Sequence, residues 1–414
     1  MKLGLLGGDM QTLAVASAAV AAGDSLGPAV GLAADAIPEL PADRQPADQW
    51  QLLLEADRCD AVLVAIDHWD DERAEQVRTL VQTGRPLLLN HPASLSMLWA
   101  YELDMMLADS AASVVPYLPT RRHPLIASLK EFIEQSIAGA GPFGQLETLQ
   151  LHRGQADRSR HAVLASLARD ADLIRVLTGD PARLLALGSG GDAAWATLAI
   201  GFTGPDRLPV RWQMAKAATE TLAIDLICGQ GRIHVAVPAA AGVWTLSQHP
   251  DDPEQPLPLE AAVAAVPFDP ASVMLETLRQ QLAAAPPADE SPVAAASWAD
   301  AARAIELAET VPRSLAKGRA IDLHQEEFSE LGTFRGTMAS LGCGIIMAGL
   351  LLLFLATLVG GVAQAAGWDL GERLAAVWPY AILVVLLLFL SLQLLPLLLP
   401  QPGRPSPPAD DPPG

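Results

Sequence analysis

Short apolar runs alternate with longer amphipathic runs along the N-terminal part of the chain. The apolar runs are predicted to form strands at residues 1–6, 28–34, 60–66 and 86–89, and helical periodicity separates them at 12–22, 49–56 and 70–83. Strands that are apolar on both faces and alternate with helices are typical of a parallel sheet that is covered on both sides. We therefore predict a Rossmann-like, doubly wound α/β domain over residues 1–118, with a ligand site at the carboxyl ends of its strands.

Beyond a basic connector at 119–124 the pattern changes to one helix, at 125–137, followed by closely spaced strands. The predicted strands are 146–152, 183–188, 194–202, 208–214, 221–228 and 232–238. Consecutive strands with short connections, such as the glycine turn at 229–231, indicate antiparallel pairing. Residues 119–325 are therefore predicted to form an α+β domain with an open, mainly antiparallel sheet.

Two long apolar runs, 336–368 and 374–403, dominate the C-terminal part of the chain. Each is longer than the roughly 20 residues that cross a bilayer as a helix, and neither has the polar stripe of a surface helix. We predict a two-helix transmembrane hairpin at 337–400, a juxtamembrane linker at 326–336 and a disordered, proline-rich tail at 401–414. The lipid bilayer is thus a predicted partner. A hairpin buried in a globular core is the alternative.

Basic residues set the expected orientation of this hairpin. Four Lys and Arg residues between Arg313 and Arg335 precede the first run and Arg404 follows the second, whereas Arg373 lies between the runs. Because basic residues are retained on the cytoplasmic side, the large N-terminal region is predicted to be cytoplasmic. The apolar stretch from Lys2 to Ala22 has an alternative interpretation as a secretory signal, which would place that region outside.

Composition narrows the range of partners. The formal net charge of −20 argues against a nucleic-acid partner, because nucleic-acid binding needs a basic surface. The three cysteines, Cys59, Cys228 and Cys343, are far apart in sequence. They form neither a disulfide framework nor a zinc motif, so we predict no metal site.

The loop after the first predicted strand stands where a G-x-G-x-x-G fingerprint would bind a dinucleotide pyrophosphate. Gly7 occupies the first glycine position, but Asp9 and Thr12 occupy the second and third. A carboxylate at the second position repels a pyrophosphate and takes up its space. Gly7 and Gly8 are the candidate cofactor-binding residues of this loop, and Asp35, at the end of the second strand, is the candidate partner of a ribose hydroxyl.

Four short segments have the spacing of motifs from one enzyme family. They are residues 60–66, 84–92, 172–179 and 298–318. They resemble the DaViiatP strand, the GkhVlcEKP segment, the HxxDllrwllG helix and the closing helix of the glucose–fructose oxidoreductase / inositol dehydrogenase (Gfo/Idh/MocA) family. The likeness covers the chain to about residue 325 by the order of its elements and leaves out the hairpin. It implies an NAD- or NADP-linked dehydrogenase of sugars or cyclitols that forms a homodimer.

At the positions of the family's proton-transfer residues, this sequence has different side chains. Its motif lysine corresponds to His91, its histidine to Arg169 and its aspartate to Ala165. Hydride transfer from an alcohol needs a proton acceptor within hydrogen-bond reach, and neither Arg169 nor Ala165 can act as one. A histidine in an ordinary environment titrates near neutral pH, so His91 is the candidate catalytic residue. Arg169 and Asp172 are the candidates for contact with a substrate or an anion.

Two functional hypotheses follow. The first is a membrane-anchored protein with the oxidoreductase fold, an NAD(P)-linked dehydrogenase by resemblance in which the catalytic residues have degenerated. The alternative is a non-catalytic binding or scaffold protein at the cytoplasmic membrane face, with a small-molecule or protein ligand. Channel activity of the hairpin is disfavoured, because its two runs carry no intramembrane charge.

Overall fold

The computed structural model describes residues 1–32, 43–45, 47–67, 69–189, 191, 193–204, 208–283 and 293–323, with several more between 351 and 365. The chain divides into two compact units, Met1–His324 and Gln325–Gly414. The described residues of the second unit are helical. Apart from these, the predicted linker, hairpin and tail lie outside the described residues. Within the described part of the chain, no helix has both the length and the apolar character needed to cross a membrane.

The first unit begins with a six-stranded parallel sheet. Its elements are β1 (Lys2–Leu6), α1 (Met10–Ala21), β2 (Ser25–Val30), β3 (Asp43–Gln45), a 3-10 helix (Ala47–Leu54), β4 (Ala61–Val64), α2 (Asp71–Gln82), β5 (Leu87–Leu89), α3 (Met97–Ala108) and β6 (Val114–Pro116). The strand order is β3-β2-β1-β4-β5-β6, and all neighbouring strands are parallel. This order confirms the predicted Rossmann-like sheet. The order reverses between β1 and β4, which opens a crevice at their carboxyl ends.

A second, eight-stranded sheet follows. Its elements are a 3-10 helix (Pro119–Arg122), α4 (Pro124–Ile137), β7 (Leu146–Gln155), α5 (Arg160–Thr178), β8 (Arg183–Leu187), α6 (Ala193–Ala196), β9 (Ala199–Thr203), β10 (Pro209–Lys216), β11 (Thr221–Cys228), β12 (Gly231–Val237), β13 (Thr245–Pro250), α7 (Ala261–Ala264), α8 (Pro270–Leu282), α9 (Trp298–Lys317) and β14 (Ile321–Asp322). The strand order is β13-β12-β11-β7-β10-β9-β8-β14. Only β7 and β10 pair in parallel among these described strands, so the sheet is mixed and mainly antiparallel, as predicted.

The first sheet is covered on both faces. Leu3 and Leu5 pack with α1 and α8 on one face, whereas Val62 and Val64 pack with α2, α3 and the first half of α9 on the other. These side chains are fully buried, and each such burial stabilises the fold by about 1.5–3 kcal/mol. Both α8 and the first half of α9 therefore return from late in the chain to cover the first sheet.

The second sheet has one face packed on a separate core. Along β10, Val210, Trp212 and Met214 are buried, and the residues between them are exposed. This period of two places alternate side chains on the two faces. The buried side chains contact α4, α5 and the second half of α9. Since α9 contributes to both cores, it joins the two sheets and fixes the walls of the crevice between them.

Two differences from the sequence prediction have clear causes. The predicted strand at 194–202 divides into α6 and β9, because its first residues are mainly alanine, the strongest helix former. The helix α3 was not predicted, because its apolar residues do not keep to one face. Leu98 and Met105, both on α3, are 80% and 66% exposed, so the helix lacks the polar outer face that marks an amphipathic helix.

Candidate ligand-binding cleft

A cavity of about 390 Å³ lies where the carboxyl edge of the first sheet faces the second sheet. Gln11 at the start of α1, Asn90 after β5 and Tyr117 after β6 line it from the first sheet. Trp244 and Phe268 contribute an aromatic wall from the other side. The volume falls within the range of about 300–1,000 Å³ that is usual for small-molecule pockets.

Two arginines and two carboxylates form an ion-pair network on the cleft wall. Arg153 on β7 donates Nε to Asp170 Oδ2 at 2.9 Å and Nη2 to the other Asp170 oxygen. The indole N–H of Trp212 donates to the same Oδ2 at 2.8 Å. Arg153 Nη1 and Arg169 Nη2 both donate to Glu220 Oε1, at 3.2 and 2.9 Å. The network joins β7, α5 and the start of β11, and it fixes the position of Arg169.

Arg169, one of the predicted ligand contacts, remains accessible from the cleft together with Glu220. Their side chains are 33% and 41% exposed, and both line the cavity. Arg169 Nη2 also donates to Ser166 Oγ at 3.1 Å, but Nε and Nη1 have no acceptor within the described part of the chain. The pair therefore offers N–H donors beside a carboxylate, an arrangement that suits a ligand with neighbouring acceptor and donor groups.

Asp172, the other predicted ligand contact, also lines the cavity and forms an ion pair with Arg121. Arg121 Nη1 lies 3.2 Å from Asp172 Oδ1 and 3.2 Å from Asp300 Oδ2. Burial raises the pKa of Asp172 to about 6; the nearby Asp300 carboxylate acts in the same direction, and Arg121 opposes both. Asp172 is therefore a carboxyl group that changes its protonation close to neutral pH.

His91, the predicted catalytic residue, is 2% exposed and is not among the residues that line the cavity. Burial, followed by the charge of Arg169, lowers the pKa of His91 to about 3. Neither ring nitrogen has a hydrogen-bond partner among the described residues; the Ala168 carbonyl, which favours the protonated ring, lies outside hydrogen-bond geometry. The structure thus places His91 behind the residues that line the cavity, and its catalytic role stays a prediction.

The loop after β1 contains the two glycines predicted to bind a cofactor. Gly7 has a φ of +80°, a left-handed conformation that glycine adopts without steric cost. The Gly8 N–H is donated to the carboxylate of Asp67, which follows β4, with distances of 3.1 and 3.2 Å to its two oxygens. A donor that a phosphate would use is therefore already bound to a carboxylate of the chain.

Asp9 satisfies a second group of donors in the same loop. Its Oδ1 accepts the Thr12 N–H at 2.9 Å and so caps α1. Its Oδ2 accepts the Ile66 N–H and the Asn90 side-chain amide, both at 2.8 Å. Asp9 thus connects the N-terminus of α1 with the segments that follow β4 and β5.

These contacts decide whether the loop fits the dinucleotide that the family resemblance implies. A pyrophosphate binds to free N–H groups at a helix N-terminus, but here Asp67 and Asp9 accept the N–H groups of Gly8 and Thr12. A Cβ built on Gly7 would lie 2.5 Å from Arg73 Nη1 and 2.5 Å from Asp67 Oδ1, so side chains already fill the space over this glycine. The loop residues do not fit NAD or NADP. Asp35, the predicted ribose partner, lies outside the described residues.

Sequence reasoning did not single out Asp67, Arg73 or Glu220. Asp67 had an available signal, because it follows a predicted strand at the edge where such folds bind ligands. Glu220 lies in the connection before β11, where a carboxylate is common and no pattern marked it. Among the described residues, no group of three or more His, Cys, Asp or Glu side chains could hold a metal ion.

The solved structures that share this arrangement of two sheets are Gfo/Idh/MocA-type oxidoreductases. No protein-family model matches the chain, and no curated protein matches its sequence. Solved structures do match. The aldose–aldose oxidoreductase of Caulobacter crescentus, complexed with glycerol, is 13% identical with a TM-score of 0.61, and the match covers 78% of this chain and 99% of that one.

Two further structures are similar to a comparable degree. The WlbA dehydrogenase of Bordetella pertussis, in complex with NADH and UDP-GlcNAcA, is 15% identical with a TM-score of 0.59, covering 79% of this chain and 98% of that one. A levoglucosan dehydrogenase in its apo form is 14% identical with a TM-score of 0.60, covering 78% and 99%. At these identities the likeness shows the fold, including both sheets.

Proposed function

We propose that this protein binds a small polar ligand in the cleft between its two sheets and does not oxidise that ligand by hydride transfer. The observation that carries the proposal is the Arg169–Glu220 ion pair, which faces a cavity of about 390 Å³ with hydrogen-bonding capacity unused within the described residues. Tyr117, Thr120 and Thr221, each of which carries a hydroxyl group, line the same cavity. Such convergent polar groups in a concave site orient a ligand.

The residues at the family's lysine and histidine positions argue against dehydrogenation. His91 lies outside the cavity, and Arg169 stays protonated at neutral pH. Burial, then the charges of Asp269 and Asp9, raise the pKa of Tyr117 well above its usual value. Its hydroxyl group therefore stays protonated and can donate a hydrogen bond to a ligand. These residues supply recognition, whereas hydride transfer would also need a base and a nicotinamide cofactor.

A dehydrogenase is the second candidate function. It is favoured by the structural neighbours, which are oxidoreductases, and by Asp172. The Asp172 carboxyl group lines the cavity with a pKa of about 6, a value suited to general acid–base catalysis near neutral pH. Arg121, which holds one oxygen of Asp172 at 3.2 Å, favours the charged form and would not prevent proton transfer through the other oxygen.

We also propose that the predicted hairpin at 337–400 anchors the protein in a membrane, with the first unit on the cytoplasmic side. The two apolar runs and the basic residues that flank them support this proposal. Carbonate-resistant sedimentation with membranes supports it, and release by carbonate contradicts it. Homodimerisation through the open sheet is proposed on the family resemblance alone, and a monomeric mass in light scattering of the purified protein contradicts it.

A ligand screen on the full-length protein tests the proposed binding function. The probes are neutral hexoses, cyclitols, and their carboxylate and amine derivatives, each added at millimolar concentration while thermal unfolding is followed. A ligand that binds the folded state raises the midpoint. The shift is expected to disappear in Arg169→Ala. It should persist in Arg183→Ala, which removes an exposed arginine paired with Asp322 away from the cleft.

Three results would count against binding in the cleft. In the first, no probe raises the midpoint of thermal unfolding. In the second, the rise in midpoint persists in Arg169→Ala. In the third, Arg183→Ala also removes the rise. Appearance of NADH or NADPH when a stabilising probe is incubated with NAD or NADP would instead favour the dehydrogenase. In that case Asp172→Asn should abolish turnover while leaving the ligand-induced shift in place.

A further inference from the structure

We propose that two carboxylates of the chain itself, Asp9 and Asp67, permanently occupy the phosphate-binding loop of the first sheet, so that this loop is a closed structural element with no dinucleotide site. The proposal concerns the loop alone. It does not depend on which ligand the cleft binds.

The first observation is that both carboxylate oxygens of Asp9 accept hydrogen bonds from the chain. Its two oxygens accept three hydrogen bonds, from the N–H groups of Thr12 and Ile66 and from the amide of Asn90, all at 2.8–2.9 Å. A helix cap alone would need only the Thr12 contact. The additional contacts reach the segments that follow β4 and β5, at the carboxyl edge of the sheet where folds of this kind bind ligands. The carboxylate therefore acts as an internal anion for that position.

The second observation is independent of the first and concerns Asp67. Both of its oxygens lie within hydrogen-bond distance of the Gly8 N–H, at 3.1 and 3.2 Å. Its side chain is 29% exposed, so it lies at the surface of the loop, where an incoming phosphate would compete for the same donor. Two negative charges at one loop oppose the approach of a third group that carries negative charge.

The third observation is that Arg73, on α2, binds to residues on both sides of the loop. Arg73 Nη1 donates to the carbonyl groups of Leu6 and Ala65 at 3.0 and 3.2 Å, and it lies 4.0 Å from Asp67 Oδ1. It thereby joins the ends of β1 and β4 at the point where the sheet order reverses. Burial lowers the pKa of Arg73, and the neighbouring carboxylates oppose that effect, with Asp67 the largest of them. The guanidinium charge is thus committed to the loop and is not presented to a ligand.

Together the three groups replace a bound phosphate by components of the chain. The N–H groups of Gly8 and Thr12 are satisfied, the space over Gly7 is filled by Arg73 and Asp67, and the loop carries negative charge. A dinucleotide would have to displace both carboxylates and leave Arg73 without its nearest anion. The Rossmann-like fold is retained, and the loop after β1, where such folds usually bind an anion, instead connects the strand ends beside the cleft.

The test measures anion binding by the full-length protein and by loop variants. The probes are inorganic pyrophosphate, NAD and NADP, titrated by calorimetry. The wild-type protein is expected to show no saturable binding at millimolar probe. The double variant Asp9→Gly/Asp67→Asn should bind pyrophosphate and NAD at least about tenfold more tightly than the wild type, which corresponds to 1.4 kcal/mol. The control Asp70→Asn/Asp71→Asn makes the same change in net charge on α2 and should not gain binding.

A milder variant keeps the test decisive if the double variant fails to fold. Asp67→Ala removes the acceptor of the Gly8 N–H, leaves the Asp9 cap and its three hydrogen bonds in place, and should gain a smaller but measurable affinity for pyrophosphate. Saturable micromolar binding of NAD or NADP by the wild-type protein would overturn the proposal. So would an equal gain in the charge-matched control, or the lack of any gain in folded Asp67→Ala.

Discussion

The removal of the Asp9 carboxylate measures how much the closed loop contributes to folding. In Asp9→Ala the N–H groups of Thr12 and Ile66 and the amide of Asn90 all lose their acceptor. Loss of the helix cap costs about 1 kcal/mol, and each of the two other charge-assisted hydrogen bonds contributes about 1.5–3 kcal/mol. The loop borders the cleft, so water can partly replace the lost acceptor. We therefore expect the free energy of unfolding to fall by about 3–4 kcal/mol.

Asp70→Ala is the matched control. Asp70 caps α2 through a single hydrogen bond from the Arg73 N–H at 2.8 Å, and its removal should cost about 1 kcal/mol. The difference between the two variants isolates the contacts that Asp9 makes beyond its cap. In thermal unfolding of the full-length protein, with about 2 °C for each kcal/mol in a unit of this size, the midpoint should fall by about 6–8 °C for Asp9→Ala and by about 2 °C for Asp70→Ala.

The sign of the effect separates two roles for Asp9. A residue that is retained for ligand binding or catalysis at the expense of stability often makes the protein more stable when it is replaced. A structural carboxylate does the opposite. A midpoint for Asp9→Ala equal to that of Asp70→Ala, or higher than that of the wild type, would refute the reasoning that this loop is held together by Asp9.

Three further predictions address the glycine turn, the buried histidine and the ion-pair network. Gly7→Ala should destabilise the protein by several kcal/mol more than Gly23→Ala in urea unfolding: both glycines have positive φ, but a Cβ at Gly7 meets atoms at 2.5 Å and one at Gly23 meets nothing within 4 Å. The pKa of His91 is 6.5 when unfolded and about 3 when folded, so the unfolded chain binds the extra proton and stability falls as pH drops below 6.5. This contribution is about 2 kcal/mol between pH 7 and pH 5. His91→Leu should remove that part of the pH dependence, and an unchanged slope would contradict the assignment. Trp212→Phe takes one donor from buried Asp170 and should cost about 1–3 kcal/mol; a change within the error of equilibrium unfolding would show that Arg153 alone satisfies the carboxylate.

The first sheet could be predicted from the sequence because its strands are apolar on both faces and lie between recognisable helices. The pairing of β7 with β10 could not, since neighbours in a mixed sheet depend on contacts between distant segments. The return of α8 to the first sheet was hidden for the same reason. The apolar face of α8 could cover either the first or the second sheet, and the sequence pattern does not distinguish between them.

The candidate site was accessible to sequence reasoning in part. The position of Asp9 indicated a conflict with a dinucleotide, and the structure supplies its partners, which are brought together by separate strand ends. Asn90 lines the cavity, whereas the neighbouring His91 does not, although both side chains are almost fully buried. A shift of one residue therefore decides which side chain a ligand meets, and sequence similarity alone could not resolve it.

The most direct test of the whole account is a titration of the wild-type, full-length protein with NADH, followed by the change in nicotinamide fluorescence. No saturable change is expected up to millimolar NADH, because the carboxylates of Asp67 and Asp9 already accept the N–H groups of Gly8 and Thr12. Saturable binding at micromolar NADH would contradict it and would restore a nicotinamide-dependent dehydrogenase as the leading function of the cleft.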